Sequence, residues 1–113
     1  MHNKPYTRVK GNVPMKVAIS HTKIKPDKRA EIDAAGKRVL EALQRERPQG
    51  LLYAVCPLPD GETFVTLTIT DDGVDNPILT LPEYRAFAAN FKTWIAEPPT
   101  AEHLTATTSY RSF

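Results

Sequence analysis

His21 is the residue of this chain best suited to moving a proton. An imidazole changes charge near neutral pH and can serve as acid or base. Tyr53, Trp94 and Tyr110 have the chemistry of a ligand wall. Each offers a flat face to stack on a ring and one hydrogen-bond donor. Both sets have a plainer reading. A histidine on an apolar strand face is commonly a satisfied structural residue, and aromatics at helical or strand spacing commonly fill a core. Cys56 stands beside Pro57 with no basic neighbour in sequence. It reads as a small buried hydrophobe rather than a nucleophile. His103 follows a Pro98-Pro99 break and is expected in solvent.

Several chemistries are excluded by what is missing. Asp71, Asp72 and Asp75 lie close together, but the spacing and closing glutamate of a calcium loop are absent. No Cys/His metal spacing and no glycine-rich phosphate loop occur. No metal and no cofactor are therefore expected. The net charge of +2 is too small to argue for nucleic acid. Its distribution is uneven: residues 1–50 carry 12 Lys/Arg against 5 Asp/Glu, and residues 51–113 carry 3 against 8. That pattern reads as a basic tail and a solvated helix face, or as a dipolar surface that steers an anionic ligand or a second subunit.

The elements that must position these residues follow from periodicity. Residues 1–14 form a polar, basic arm, and a domain is expected over 15–113. Residues 15–24 alternate, with Met15, Val17, Ile19 and His21 on one side and Ala18, Ser20 and Thr22 on the other. Asp27 is placed to cap a helix whose apolar stripe is Ile32, Gly36, Val39 and Leu43, broadened by Ala35, Leu40 and Ala42. Pro48 and Gly50 end it. Residues 51–56 and 63–70 read as two strands around a Pro59-Asp60-Gly61 turn. After a polar loop over 71–80, Thr80, Pro82 and Glu83 predict a capped helix start. Tyr84, Phe87, Ala88, Phe91, Trp94 and Ile95 form its stripe. Residues 103–113 alternate once more.

The order βαββαβ predicts an α+β, ferredoxin-like domain: a four-stranded antiparallel sheet with two helices on one face. The aliphatic strand faces (Val17, Ile19, Val65, Leu67, Ile69, Leu104) are expected under the helices. The opposite face would then be Ala18, Ser20 and Thr22, Phe64, Thr66 and Thr68, and Thr105, Thr107 and Ser109, with charge only near its ends at Lys16 and Arg111. A face so poor in charge suits packing against a second sheet, and a homodimer through this sheet face is expected. The RNA-recognition fold shares this topology, but its third strand carries basic and aromatic residues. Here residues 63–68 hold one aromatic and no basic residue, so no nucleic acid is expected. No run is long and apolar enough to span a bilayer, and residues 1–13 are polar. With one cysteine and no internal disulfide, a cytoplasmic protein with no membrane partner is expected.

The element order, the helix start Leu81-Pro82-Glu83-Tyr84-Arg85-Ala86-Phe87 and the closing Ser109-Tyr110-Arg111-Ser112-Phe113 resemble the antibiotic-biosynthesis-monooxygenase-like group of dimeric α/β-barrel proteins. The resemblance covers residues 15–113. It implies a homodimer whose two sheets form a barrel. It also implies a cleft between helices and sheet that in some members holds a small aromatic or polyketide-like molecule. The oxidising members use no metal or flavin, and others degrade haem. His21, at the mouth of such a cleft, and Tyr53, Trp94 and Tyr110, along its walls, would then form the site. The oxidising members place an Asn and, four residues on, a Trp at the end of the third strand. Residues 66–71 here contain neither; Asn90 and Trp94 have that spacing but lie on the second helix. Two functions follow: a small-molecule binder with cofactor-independent monooxygenase chemistry as its enzymatic form, or a non-catalytic dimerisation or stress-response module whose cleft is filled by aromatics.

Overall fold

Four strands and two helices form in the predicted order in the computed structural model, which describes residues 14–71, 73 and 75–110. The arm over 1–13 and the closing Arg111-Ser112-Phe113 lie outside the described residues. The strands are β1 (Met15–Lys23), β2 (Leu51–Pro57), β3 (Thr63–Asp71) and β4 (Thr100–Ala106). The helices are α1 (Arg29–Glu46) and α2 (Pro82–Trp94). The sheet runs β2-β3-β1-β4, antiparallel throughout. This is the ferredoxin-like order.

The β2–β3 hairpin closes on Asp60. One carboxylate oxygen accepts from the backbone N–H groups of Glu62 and Thr63, both at 2.9 Å, and the other from the Thr63 hydroxyl at 2.7 Å. These bonds hold the Asp60 carboxyl below its ordinary range, the Thr63 hydroxyl contributing most. Gly61 supplies the positive φ that the turn needs.

Both helices start differently from the sequence expectation. A 3-10 turn, Pro26–Lys28, precedes α1, and neither Asp27 nor any other side chain caps it. A second 3-10 turn, Pro77–Thr80, precedes α2. Within it the Thr80 hydroxyl donates to the Pro77 carbonyl at 2.8 Å, so it does not cap α2. β4 begins three residues earlier than expected and stops at Ala106, leaving Tyr110 outside it.

The two faces of the sheet are used the other way round from the expectation. One buried cluster joins Val39 and Ala42 of α1 to Ile78 and Leu81, with Leu51 and Tyr53 of β2 packed against it. The other joins Ile32 of α1, Ile24 and Phe64 of β3, with Phe87, Phe91 and Trp94 of α2 against it. Leu51 pairs with Thr70, Tyr53 with Thr68, and Phe64 with Thr22. The helices therefore cover the side that carries Ala18, Ser20, Thr22, Phe64, Thr66, Thr68 and Thr70.

Among the described residues, neither helix covers the aliphatic side. Val17, Ile19, Leu52, Leu67, Ile69 and Leu104 share it by register, and none of them joins either buried cluster. Leu52 is 38% exposed and Leu104 51%. Cys56 belongs to this side, on the outer strand β2, and is exposed rather than buried. The helix side carries the bulky aromatics Phe64 and Tyr53, which pack in the two clusters. Within α1 the stripe narrows to Ile32, Ala35, Val39 and Ala42, and Leu40 turns outward. No helix among the described residues is long and apolar enough to cross a membrane.

Candidate functional site

The helices stand over β2, β3 and the far end of β1, which leaves the helix side of β1 and β4 open. A cleft of about 560 Å³ lies there. Its floor is Lys16 and Ala18 of β1, Thr68 and Thr70 of β3, and His103 and Thr105 of β4. Register explains the grouping. Lys16 pairs with Thr70 on one side and Thr105 on the other, and Ala18 pairs with Thr68 and His103. Cross-strand partners share a sheet face, so all six side chains point to the helix side.

The wall is the segment leading into α2. Asp75, Asn76 and Leu79 line it. This segment is held at several points. Ile78, 1% exposed, is buried among Val39, Ala42 and Leu81. The Asn76 side chain accepts from the Ile78 N–H at 3.0 Å, and Arg85 Nε donates to the Leu79 carbonyl at 3.0 Å. With Ile78 turned inward, its neighbour Leu79 faces the cleft. Strands form the floor and an anchored turn forms the wall, so the cleft is preformed.

A smaller hollow of about 280 Å³ lies between α1 and α2, lined by Ala35, Arg38, Glu83 and Asn90 among others. One oxygen of the Glu83 carboxylate, Oε2, is engaged, while Oε1 is buried without a hydrogen-bond partner among the described residues. Glu83 accepts from Arg45 at 3.2 Å, and its own backbone N–H and that guanidinium hold it below the usual carboxylate range. No strand lines it. The cleft over β1 and β4 is the candidate site.

The four residues singled out from the sequence are not brought together. His21 lies on the uncovered aliphatic side, between Val65 and Thr100, with the sheet separating it from the cleft. The expectation failed because it put that side under the helices. Tyr53 is half-buried against the α1 cluster, and burial pushes its hydroxyl up to about 12. It is next to the floor, paired with Thr68, but not part of the lining. Trp94 packs in the second cluster, its ring centre 6.2 Å from that of Phe87, and its carbonyl accepts from the Lys25 N–H at 2.8 Å. Tyr110 is 84% exposed beyond the end of β4.

The structure gathers a different set: Lys16, His103, Asn76 and the threonines. His103 was expected in solvent, and exposed it is, yet it faces the cleft. A signal for it existed. His103 and Thr105 alternate on the polar side of β4, the side that pairs with the Ala18 side of β1. Among the described residues no cluster of His, Cys, Asp and Glu could hold a metal ion.

No family model and no curated protein matches this chain. Solved structures do. A protein provisionally named an antibiotic biosynthesis monooxygenase from Nitrosomonas europaea aligns with TM-score 0.69 and 20% identity, over 88% of this chain and 94% of that one. Another so named, from Caulobacter crescentus, gives 0.67 and 19%, over 85% and 92%. The fold is antibiotic-biosynthesis-monooxygenase-like. A protein of unknown function, also from Nitrosomonas europaea, aligns with TM-score 0.70 and 17% identity, over 91% and 99%. At these identities the likeness establishes the fold alone.

Proposed function

We propose that this chain is a homodimeric small-molecule-binding protein that takes a small aromatic or polyketide-like compound in the cleft over β1 and β4. The open cleft carries the reading. Its volume of about 560 Å³ lies within the usual range of ligand sites, roughly 300–1,000 Å³. The alternative, a dimerisation module with a filled cleft, needs aromatics in that space. Trp94, Phe87 and Phe91 pack instead against Ile24, Ile32 and Phe64.

The enzymatic form of this reading is cofactor-independent oxygenation. The name of several structures with this fold favours it. The third strand argues for binding first: it ends in Thr70 and Asp71, without an Asn/Trp pair, and Trp94 is engaged in the core.

The uncovered aliphatic side supports the dimer. Val17, Ile19, Leu52, Leu67, Ile69 and Leu104 form a continuous apolar surface across all four strands. Soluble monomers rarely leave such a surface to water, and two copies stacked face to face would cover it. The sheet face used is the aliphatic one, not the Thr/Ser/Ala one expected from the sequence.

A thermal-shift screen with quinones, phenols and haem tests the binding reading, run on the natural chain and on Leu79→Trp, which fills the cleft. A ligand at 100 times its Kd stabilises by about 2.7 kcal/mol. The expected result is a raised Tm for the natural chain and none for Leu79→Trp. Equal shifts for both would place the ligand elsewhere.

A further inference from the structure

The hollow between the two helices shares no lining residue with the cleft over β1 and β4, and its chemistry is different. α1 and α2 run antiparallel. Arg45, in the last turn of α1, bonds Glu83 in the first turn of α2. Ile32, near the start of α1, packs in one cluster with Phe91 and Trp94 at the end of α2. Arg38 lies seven residues before Arg45, and Asn90 seven after Glu83. Both offsets are about 10 Å at about 1.5 Å per residue, so Arg38 and Asn90 are level with each other at one end of the hollow. Phe87 and Ala86 line α2 between that end and Glu83. Arg38 makes no ion pair among the described residues, although Glu41 is one turn away on α1. The Asn90 carbonyl accepts from the Thr93 hydroxyl at 2.7 Å, which leaves its side-chain amide to the hollow. The lining's one carboxylate, Glu83, stands at the far end and is held by Arg45.

We infer that this hollow is a second binding site, for a short aliphatic monocarboxylate held between Arg38 and Asn90 with its alkyl chain along Phe87 and Ala86. A guanidinium presents two parallel N–H groups that match the two oxygens of a carboxylate. The Asn90 amide supplies a further N–H donor at the same end. The alkyl chain exchanges water for the Phe87 ring and the alanine methyl group. Glu83 closes the other end against a second anion, its Oε1 having no donor of its own among the described residues. The roughly 10 Å between the two ends suits a chain the length of hexanoate. The hollow's volume of about 280 Å³, just below the roughly 300–1,000 Å³ of ordinary ligand sites, fits so small a molecule.

Calorimetry on the full chain with sodium hexanoate, its neutral amide hexanamide and the dianion adipate tests this site. Hexanoate is expected to bind at millimolar concentration or below, and more tightly than hexanamide or adipate. Arg38→Met should weaken hexanoate at least about tenfold, the loss expected for hydrogen bonds to a charged group. Arg38→Lys keeps the charge but loses the fork, and its affinity should fall between the two. Ala86→Leu fills the hollow from an exposed helix position and should abolish binding with the far-UV circular dichroism unchanged. Leu79→Trp, which fills the cleft over β1 and β4, separates the two sites: hexanoate binding is expected to persist in it. No binding of hexanoate, equal binding of hexanoate and hexanamide, or undiminished binding by Arg38→Met would overturn the inference. Loss of binding in Leu79→Trp with retention in Arg38→Met would assign the acid to the other cleft, which overturns this site and leaves the proposed function standing.

Discussion

His103 stands directly across the β1–β4 ladder from Ala18, which puts its imidazole on the helix side of the sheet, in the cleft. His21, only three residues from Ala18 in sequence, lies on the opposite side, next to Val65. Even and odd positions of β1 thus point to opposite sides of the sheet.

The aliphatic side should be where two copies meet. Leu67 lies at its centre, paired with Ile19 and Ala54. A buried, unpaired charge is strongly unfavourable. Leu67→Glu should convert a dimer to a monomer in size-exclusion chromatography with light scattering, with the far-UV circular dichroism unchanged. Thr105→Glu, in the cleft, should remain a dimer.

Ile78 joins the core to the cleft wall. It is 1% exposed, and truncating such a residue costs about 2–5 kcal/mol. Ile78→Ala should lower stability in urea by about 3 kcal/mol. It should also weaken ligand binding, because the turn that carries Leu79 loses its anchor.

Tyr53 should be the last tyrosine to titrate among those described. Burial, with a smaller contribution from Tyr84, pushes it up from 10.0 to about 12. A group raised in the folded state favours folding fully below its unfolded value. That contribution is lost as pH rises from 10.0 towards 12. Ultraviolet titration should show one tyrosine ionising near 12, and Tyr53→Phe should remove that step.

Asp60 works in the opposite direction. Its carboxyl is lowered in the folded chain, first by the Thr63 hydroxyl and then by two backbone N–H groups. Its contribution is present above the ordinary carboxylate value of 3.8 and lost as pH falls through the lower folded value. The Tm difference between the natural chain and Asp60→Ala should therefore be constant near neutral pH and shrink in acid.

The element order, both helix stripes and the hairpin were legible in the sequence, because each rests on local periodicity or turn chemistry. The alternation of β1 and β3 also divided their residues correctly between two faces. It did not say which face the helices cover, since period two is symmetric between the sides. One clue pointed the right way. Ile24 continues the Thr22 side of β1 and is fully buried with Phe64 and Ile32. The aliphatic side outweighed that single residue in the reading, and His21 was misplaced with it. Tyr53 and Trp94 have the plainer role weighed for them: they pack against the core. His103 was passed over because the Pro98-Pro99 break put it at the solvent-facing start of the last strand, whereas β4 begins at Thr100.

The most direct test of the cleft as the ligand site is amide chemical-shift mapping by NMR of isotopically labelled protein titrated with a phenol that raises its Tm. The account predicts shifts concentrated at Ala18, Thr68, His103, Thr105 and Leu79. Shifts concentrated instead at His21, Val65 and Cys56, on the aliphatic side, would contradict it.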